Sequence, residues 1–409
     1  MAKVAIMGHG VVGSGVAHIL RSNASLIARH AGEPVELTRI LDLRDFADLP
    51  YADLFTKDSA DVVDNPQIDI VVECMGGVEP AATFIERALK NHKHVVTSNK
   101  ELVVVRGTRL TAIAQENGVN FMYEASVGGG IPIIRPLRQC LAANHIQRIA
   151  GILNGTTNYI LTRMRDGGVD FDVALAEAQK LGYAEKDPSA DVLGWDARRK
   201  ICILSHVAFG APLDDSKIPS EGIDKLTRAD MLYAKELGRA VKLLAVSQRV
   251  EAGYYAYVGP AMIPAGHPLS VVDDVFNAVF VTADMLGDAM FYGRGAGKLP
   301  TASAICGDVV DVVWHKNGVK AAEAYQDQAD ALDAGTAVTR LFVRVKGEEN
   351  GPEEQLVQKQ LGDVRIVRLL RFPDEFAFIT GEEPFDALQK KIDALAGQLE
   401  IRQRLRYDF

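Results

Sequence analysis

The amino-acid sequence predicts an α/β protein in three parts: an N-terminal Rossmann domain with a doubly wound parallel sheet, a central α+β domain, and a C-terminal βαββαβ module of the ferredoxin-like type. A glycine-rich turn follows the first strand, and strands and helices then alternate. The last part has the order of elements that is typical of ferredoxin-like modules. At 409 residues the chain is too long for one ordinary core. We place the domains at residues 1–130, completed by residues 300–325, at residues 131–300 and at residues 336–409.

The composition argues against several classes of protein. The net charge is -9 and the isoelectric point is near 5.6, so the surface does not attract nucleic acid. The four cysteines are far apart without CxxC spacing, which predicts a reducing compartment and no zinc site. The start of the chain carries no charged leader, and no apolar stretch reaches about 18 residues. We therefore predict a cytoplasmic location and no membrane partner.

The first strand pattern ends in a GxGxxG turn, and a helical stripe follows it. Gly8 allows the tight turn, Gly10 leaves room for a pyrophosphate, and Gly13 lets helix and strand pack closely. Val11 and Val12 then begin a helix whose N–H groups and positive dipole end face the phosphates. The turn therefore predicts a dinucleotide-binding site.

The end of the second strand contains two residues with opposite implications for the cofactor. Asp42 would bind the ribose 2'-hydroxyl of NAD, whereas Arg44 would suit the 2'-phosphate of NADP. The sequence leaves this choice open.

Two further parallel strands end in residues suited to a ligand. The apolar strand IDIVVEC is followed by Met75 and Gly76, and the next strand is followed by Ser98 and Lys100. Ligands of doubly wound sheets lie beyond the carboxyl ends of the strands. We therefore expect both segments to flank the nicotinamide, although Lys100 could instead be a surface lysine at the start of a helix.

Two later segments are open to more than one interpretation. Glu124 precedes three consecutive glycines, whose exposed carbonyls would suit a hard cation, but a tight turn is the simpler interpretation. In the segment NGTTNY, Thr156 and its neighbours could bind a polar ligand or cap the following helix.

The segment at residues 181–200 combines a polar loop with the start of a helix. Asp196 and Lys200 lie four positions apart, so they share one helix face. An exposed pair of this kind contributes only about 0.3–0.5 kcal/mol. However, the preceding loop offers Gly182, Tyr183 and Glu185, and loops fixed on a scaffold often bind ligands. Our hypothesis is that Lys200 moves a proton.

The remaining patterns define the central and C-terminal parts. We predict a helix at residues 229–244, strands at 242–249, 253–258 and 277–282, and a helix at 302–313 after a glycine-rich turn. Beyond a polar break at 328–335, the βαββαβ module has strands at 340–345, 364–370, 375–380 and 399–405, and helices at 352–361 and 384–396.

Six stretches carry a resemblance to a known enzyme family. They read GHGVVG, TSNKEL, YEASVGGGIP, NGTTNYIL, LGYAEKDPSADVLGWDARRK and GRGAGKLPTASA, in that order along the chain. On these motifs the chain resembles homoserine dehydrogenase, including an appended ACT-like module. The resemblance implies reversible oxidation of L-homoserine to L-aspartate 4-semialdehyde with NAD or NADP, in the branch toward threonine and methionine.

The resemblance also implies roles for single residues. Lys200 would be the acid/base for the C4 oxygen of the substrate, while Asp196 and Glu185 would hold the substrate. Lys100 would lie beside nicotinamide and substrate, and Gly182 would contact either through its backbone. A catalytic lysine must lose its charge, which a neighbouring cation favours and a carboxylate opposes, so Lys100 and Asp196 would act in opposite directions.

A cation site and an oligomer are implied as well. Glu124, with the backbone carbonyls of Val127, Gly129 and Ile131, resembles the family's monovalent cation site, which is usually assigned to sodium. Gly295 matches a nicotinamide contact, and a homodimer or homotetramer is expected.

Two alternatives and one departure from the family pattern qualify this interpretation. A related amino-acid semialdehyde dehydrogenase of the acylating type is disfavoured because Cys74 lies inside its strand. A non-catalytic nucleotide sensor is disfavoured because Lys100, Asp196 and Lys200 are all present. The ACT signature of an acid followed by Pro-Gly is replaced by GEENGP at residues 347–352. The module is therefore expected to serve oligomerisation rather than amino-acid binding.

Overall fold

The computed structural model describes residues 1–210, 213–316, 330–362 and 364–407. These residues form two compact units, each built from three stretches of chain. The first unit takes its residues from 1–145, 202–215 and 291–328, and the second from 146–201, 216–290 and 329–409. Within the described ranges, no helix has both the length and the apolar character needed to cross a bilayer.

The strands of the described residues are numbered in chain order. They are β1 (Ala2–Met7), β2 (Val35–Leu41), β3 (Phe55–Thr56), β4 (Ile70–Glu73), β5 (His94–Thr97), β6 (Phe121–Met122), β7 (Ile146–Ile152), β8 (Arg239–Val250), β9 (Gly253–Pro264), β10 (Phe276–Ala283), β11 (Gly287–Arg294), β12 (Val338–Thr339), β13 (Leu341–Lys346), β14 (Arg365–Val367), β15 (Glu375–Ile379), β16 (Glu383–Pro384) and β17 (Ile401–Arg406).

The helices are numbered in the same way. They are α1 (Val11–Ser22), α2 (Ala24–Ala31), α3 (Ala60–Val63), α4 (Ala81–Lys90), α5 (Lys100–Glu116), α6 (Gly155–Gly167), α7 (Phe171–Lys180), α8 (Ser189–Val192), α9 (Trp195–Phe209), α10 (Arg228–Glu236), α11 (Lys298–Trp314), α12 (Pro352–Leu361) and α13 (Phe385–Ala396).

The first unit contains the predicted doubly wound sheet. Its six strands pair in parallel in the order β3-β2-β1-β4-β5-β6. The chain reverses its direction of travel across the sheet between β1 and β4, which creates the crevice where such sheets bind ligands. The Rossmann prediction is confirmed.

Helix α11 packs on α1 in this unit and begins four residues earlier than predicted. A Cβ atom at Gly15 of α1 would lie 2.8 Å from the Lys298 carbonyl oxygen, so the two helices approach closely because position 15 is glycine. Val16, Ile305 and Val309 are fully buried in the shared core.

The second unit contains a nine-stranded sheet with the order β11-β10-β7-β8-β9-β17-β13-β15-β14. Its last four strands have the ferredoxin-like arrangement of a βαββαβ unit, which confirms the predicted element order. Strand β17 pairs in parallel with β9 at Arg406 and Ala261, so the C-terminal strands continue the central sheet.

A buried ion-pair network adds to this connection. Arg344 of β13 reaches Asp230 of α10 at 2.7 Å and Glu375 of β15 at 2.9 Å, and all three residues are buried. Because removal of one partner from such a network leaves a buried charge unpaired, the network fixes β13 against the start of α10.

Besides the start of α11, the boundaries of several other elements differ from the prediction. The helix predicted at 229–244 ends at Glu236, because Gly238 adopts φ +64° and strand β8 begins directly after it. The strand predicted at 364–370 is only Arg365–Val367. The strand at the start of the glycine loop ends at Met122, and a 3-10 turn at Glu124–Ser126 follows it.

Candidate active site

The turn after β1 has the geometry of a phosphate-binding loop. Gly8 has φ +92°, and a Cβ atom there would lie 2.9 Å from a carbonyl oxygen just after β4. A Cβ atom at Gly13 would lie 1.9 Å from the Gly8 carbonyl oxygen. A Cβ atom at Gly10 would meet nothing within 4 Å, and no side chain caps α1. The open space beside Gly10 and the first N–H groups of α1, at Val11 and Val12, fit a pyrophosphate.

Asp42 and Arg44 form a closed pair at the end of β2. Oδ1 of Asp42 accepts from the Arg44 backbone N–H and from Nε, both at 3.0 Å. Oδ2 accepts from the His9 N–H at 2.7 Å and from Arg44 Nη2 at 2.9 Å. The Arg44 guanidinium holds the pKa of Asp42 well below its usual range, although burial opposes this shift. Four donors fill the carboxylate, while the Arg44 side chain stays 62% exposed.

The segments after β4 and β5 meet at the carboxyl edge of the sheet, as predicted. Oε1 of the fully buried Glu73 accepts from the N–H groups of Met75 and Gly76, at 2.6 and 3.2 Å. Its Oε2 accepts from the Thr97 hydroxyl at 2.5 Å. Ser98 lies between Thr97 and Asn99, the residue that caps α5, and Lys100 is the first residue of that helix.

Sequence reasoning missed Glu73. The available signal was an acid within the apolar run IVVEC, because a buried charge needs hydrogen-bond partners nearby. Its carboxylate links the chain after β4 to the end of β5, so it shapes the edge where a nicotinamide would bind.

The glycine loop after Glu124 folds tightly. The carboxylate of Glu124 accepts from three backbone N–H groups, those of Ile133, Ile134 and Arg135, at 2.6–2.8 Å. These three hydrogen bonds satisfy the Glu124 carboxylate within the protein. Asp308 accepts a hydrogen bond from the Glu124 backbone N–H. Burial raises the pKa of Asp308 to about 7, and the negative charge of the Glu124 carboxylate is the second cause.

The rest of this loop has free backbone acceptors. Gly129 has φ +55°, and a Cβ atom there would lie 2.5 Å from the Gly295 carbonyl oxygen. Among the described residues, no hydrogen-bond donor reaches the carbonyl oxygens of Val127, Gly129 or Ile131. The same ranges contain no group of three or more His, Cys, Asp or Glu side chains able to hold a metal.

In the second unit, Lys200 is 8% exposed and sits on the predicted face of α9. Its Nζ donates to Asp196 Oδ2 and to the Leu153 carbonyl oxygen, both at 2.6 Å. The first contact is the i,i+4 pair that the sequence predicts, and the second comes from the residue after β7. The pair is buried, so the interpretation as a solvated surface pair is wrong.

Asn154 joins this pair to a second carboxylate. Its Nδ2 donates to Asp191 Oδ1 at 2.7 Å and to Asp196 Oδ2 at 3.0 Å. Its Oδ1 accepts from the Thr157 N–H at 2.9 Å and so caps α6. The sequence left the segment of Asn154 open between ligand binding and helix capping, and it assigned neither Asn154 nor Asp191 a role of its own. Their signal was weak, since an asparagine after a strand more often serves only as a helix cap.

The polar loop before α8 lies at the start of α6. The Thr156 hydroxyl donates to the Tyr183 carbonyl oxygen at 2.7 Å, so the predicted substrate residues Thr156 and Tyr183 are neighbours. Gly182 adopts φ +75° with open space where a side chain would be. Glu185 is exposed, and its carbonyl oxygen accepts from Gln179 at 3.1 Å.

A doubly wound parallel sheet with an open glycine turn is the architecture of dinucleotide-binding proteins. Comparison with known proteins is consistent with this class. Residues 8–124 match the family described as homoserine dehydrogenase, NAD binding domain, and residues 132–310 match the family described as homoserine dehydrogenase. The chain is 47% identical over 315 residues to homoserine dehydrogenase of Pseudomonas aeruginosa, covering 76% of this chain and 72% of that protein.

Solved structures agree. Homoserine dehydrogenase from Thiobacillus denitrificans matches with a TM-score of 0.92 and 37% identity, over 100% of this chain and 98% of that one. A hyperthermophilic archaeal homoserine dehydrogenase in complex with NADPH matches with a TM-score of 0.66 and 28% identity, over 76% of this chain and 97% of that one. The chain belongs to the homoserine dehydrogenase family. It is an NAD(P)-dependent oxidoreductase that interconverts L-homoserine and L-aspartate 4-semialdehyde.

Proposed function

We propose that Lys200 exchanges the proton of the C4 oxygen of the substrate. The observation that carries this proposal is the number of acceptors around Nζ. An ammonium has three donors, and two of them are committed to Leu153 O and Asp196 Oδ2. After Lys200 loses its proton, the same two bonds keep both remaining hydrogens, so the lone pair points in the third direction. Lys200 is thus oriented to accept a hydroxyl proton there or to return it.

The bound nicotinamide would accept the hydride that leaves C4 of homoserine. Residues at the carboxyl edge of the first unit's sheet would hold it: Met75, Gly76, Ser98, Lys100 and Gly295. Gly8, Gly10, Val11, Val12 and Gly13 would hold the pyrophosphate, because their backbone leaves the space and the N–H groups that it needs.

The zwitterionic end of the substrate requires groups of both polarities. We assign the exposed carboxylate of Glu185 to the substrate ammonium, since the other carboxylate before α8, that of Asp187, already accepts from the N–H and the hydroxyl of Ser189. The open backbone at Gly182, together with Tyr183 and Thr156, would contact the rest of the amino acid. Gly182 could equally contact the cofactor through its backbone.

We infer a preference for NADP over NAD. The Asp42 carboxylate is already filled by four N–H donors, so a ribose hydroxyl must displace one of them. Arg44 is anchored by this pair and remains exposed, which suits a 2'-phosphate. Arg44→Ser should raise KM for NADP at least about tenfold, the loss of one charge-assisted contact, and should lower KM for NAD or leave it unchanged, because it removes two of the four donors to Asp42. An equal change in both KM values would contradict the inference.

A monovalent cation, sodium, is our proposal for the loop after Glu124. The support is the set of undonated carbonyl oxygens at Val127, Gly129 and Ile131. Because the Glu124 carboxylate already accepts from three N–H groups, backbone carbonyl oxygens rather than this carboxylate would bind the cation. Activity measured in sodium chloride against choline chloride at equal ionic strength tests the site, and equal rates would contradict it.

Four features stay predictions. They are the domain boundaries at 1–130, 131–300 and 336–409, the ACT-like character of the last part, the homodimer or homotetramer, and the cytoplasmic location. Sedimentation of the purified protein measures the assembly directly.

The central experiment is Lys200→Ala. Homoserine-dependent NADP reduction should fall about 100-fold or more, as expected for loss of a general acid/base, while NADPH binding followed by fluorescence changes little. A variant that retains near-normal turnover would refute the role of Lys200.

A further inference from the structure

Asn154 occupies a position where its whole amide group is used. It follows β7, is 6% exposed and is the N-cap of α6. Its Oδ1 accepts from both the N–H and the hydroxyl of Thr157, at 2.9 and 3.0 Å. These bonds identify the oxygen end, so the amide nitrogen faces Asp191 and Asp196 and donates one hydrogen to each.

We propose that Asn154 is a positioning residue for proton transfer, acting on Lys200 through Asp196. Oδ2 of Asp196 accepts from both Asn154 and Lys200, at 3.0 and 2.6 Å. The Asn154 amide therefore holds Asp196 Oδ2 in place, and this oxygen orients the Lys200 amine. This inference rests on the proposed role of Lys200.

The charges in this cluster make the amide necessary. Asp191 and Asp196 each place an oxygen against the same nitrogen, so without it two carboxylates would face each other. Like charges at such distances repel, although the partial exposure of Asp191 screens part of this repulsion. Asp196 would then turn from its present rotamer, and Lys200 would lose the second of the two bonds that set its lone-pair direction.

The expected size of the effect follows from geometry. Misplacement of a reacting group by about 1 Å can cost 100-fold in rate. We therefore expect removal of the amide donor to lower kcat about 10- to 100-fold. KM for the nucleotide should stay unchanged, since Asn154 does not belong to the glycine turn.

A structural role as a helix cap can be separated from this positioning role. Asn154→Ser keeps an oxygen that can cap α6 but removes the donor to the carboxylates. Asn154→Ala removes both functions. Asn154→Asp keeps shape and cap but places a third carboxylate against the other two.

The experiment measures kcat, both KM values and the melting temperature of these variants beside Lys200→Ala. We expect Ser and Ala to lose similar amounts of kcat and Asp to lose more. Ala should melt about 2–4 °C below Ser because it lacks the helix cap, and Asp should melt below wild type because of its added charge. Wild-type kcat in Asn154→Ser would overturn the inference and leave Asn154 as a helix cap. If Lys200→Ala itself stays active, the proposed function fails instead.

A double-mutant cycle with Asp196→Asn provides a second, independent measurement. If Asn154 acts through Asp196, adding Asn154→Ser to Asp196→Asn should cause no further loss of kcat beyond about twofold. Losses that multiply would show that the two residues act separately and would overturn the inference. This comparison holds even if the single variants differ in stability, because each is measured as the folded, purified protein.

Discussion

The second unit contains two buried lysines whose surroundings differ in one respect. Lys200 has two acceptors, a carboxylate and a carbonyl. Lys242 of β8 is only 1% exposed and has three: the Val272 carbonyl oxygen at 2.5 Å, Asp273 Oδ1 at 3.0 Å and Asn158 Oδ1 at 3.3 Å. An ammonium with three acceptors is saturated and can only hold structure. An ammonium with two keeps one position for a ligand, and this difference in the number of acceptors supports the proposed role of Lys200 in proton transfer.

The largest expected effect sharpens this contrast on the activity side. Lys200→Met keeps the size of the side chain and removes the exchangeable proton, so kcat should fall about 100-fold or more. The matched variant Lys242→Met should keep kcat within about threefold of wild type, since it removes no group from the proposed site. Steady-state assays of both proteins check the pair. A larger loss of kcat in Lys242→Met than in Lys200→Met would break the comparison.

Stability should show the opposite order. Lys242→Met leaves Asp273, Asn158 and a carbonyl oxygen without their shared donor. Asp273 still pairs with Arg165, but each buried acceptor left unsatisfied costs about 1–3 kcal/mol. We expect the melting temperature to fall by about 5 °C or more. Thermal unfolding of Lys200→Met serves as the control, and its decrease should be smaller because Asn154 continues to donate to Asp196.

A milder change tests which acceptor matters most to Lys242. Asp273 is partly exposed and also pairs with Arg165 at 2.9 Å, so Asp273→Asn removes charge without removing the other two acceptors. We expect a loss of about 1–2 kcal/mol, below that of Lys242→Met. Equal losses measured by urea unfolding would show that the carboxylate, not the set of three acceptors, holds the lysine.

The smallest expected effect is a pH dependence. Burial lowers the pKa of Lys242 below its ordinary value, and Asp273 opposes the shift. Between the lowered value and the ordinary one, the unfolded chain binds more protons than the folded chain, so this group makes stability rise with pH across that window. The difference in melting temperature between wild type and Lys242→Met should therefore grow as pH rises toward 10. A difference that shrinks instead would contradict the sign.

The fold and part of the site could be predicted because their signals are local. The glycine turn is six residues long, its spacing has one physical purpose, and Asp196 and Lys200 are one helical turn apart. The partners that define their chemistry are distant in sequence. Lys200 contacts the Leu153 carbonyl, 47 residues away, and Asn154 reaches Asp196 across 42 residues. Sequence periodicity does not indicate which backbone carbonyl a lysine contacts, or that one asparagine both caps a helix and donates to two carboxylates. The contacts of Glu73 could not be predicted for the same reason.

Boundaries failed for a related reason. Helical periodicity continued through residues 237–244, but one glycine with positive φ and the pairing of β8 with β9 outweighed it. Likewise, the C-terminal module could be recognised from its own pattern, whereas its junction with the central sheet depends on the pairing of Arg406 with Ala261.

That junction has a consequence for synthesis on the ribosome. Strand β17 contains the last strand residues of the described chain, yet in the sheet it lies between β9 and β13. Until β17 has been synthesised, β13 has one side unpaired, since β17 pairs with it from Leu341 to Val345, and unpaired strand edges invite association with other nascent chains. Deletion of residues 401–406 would leave that side of β13 open.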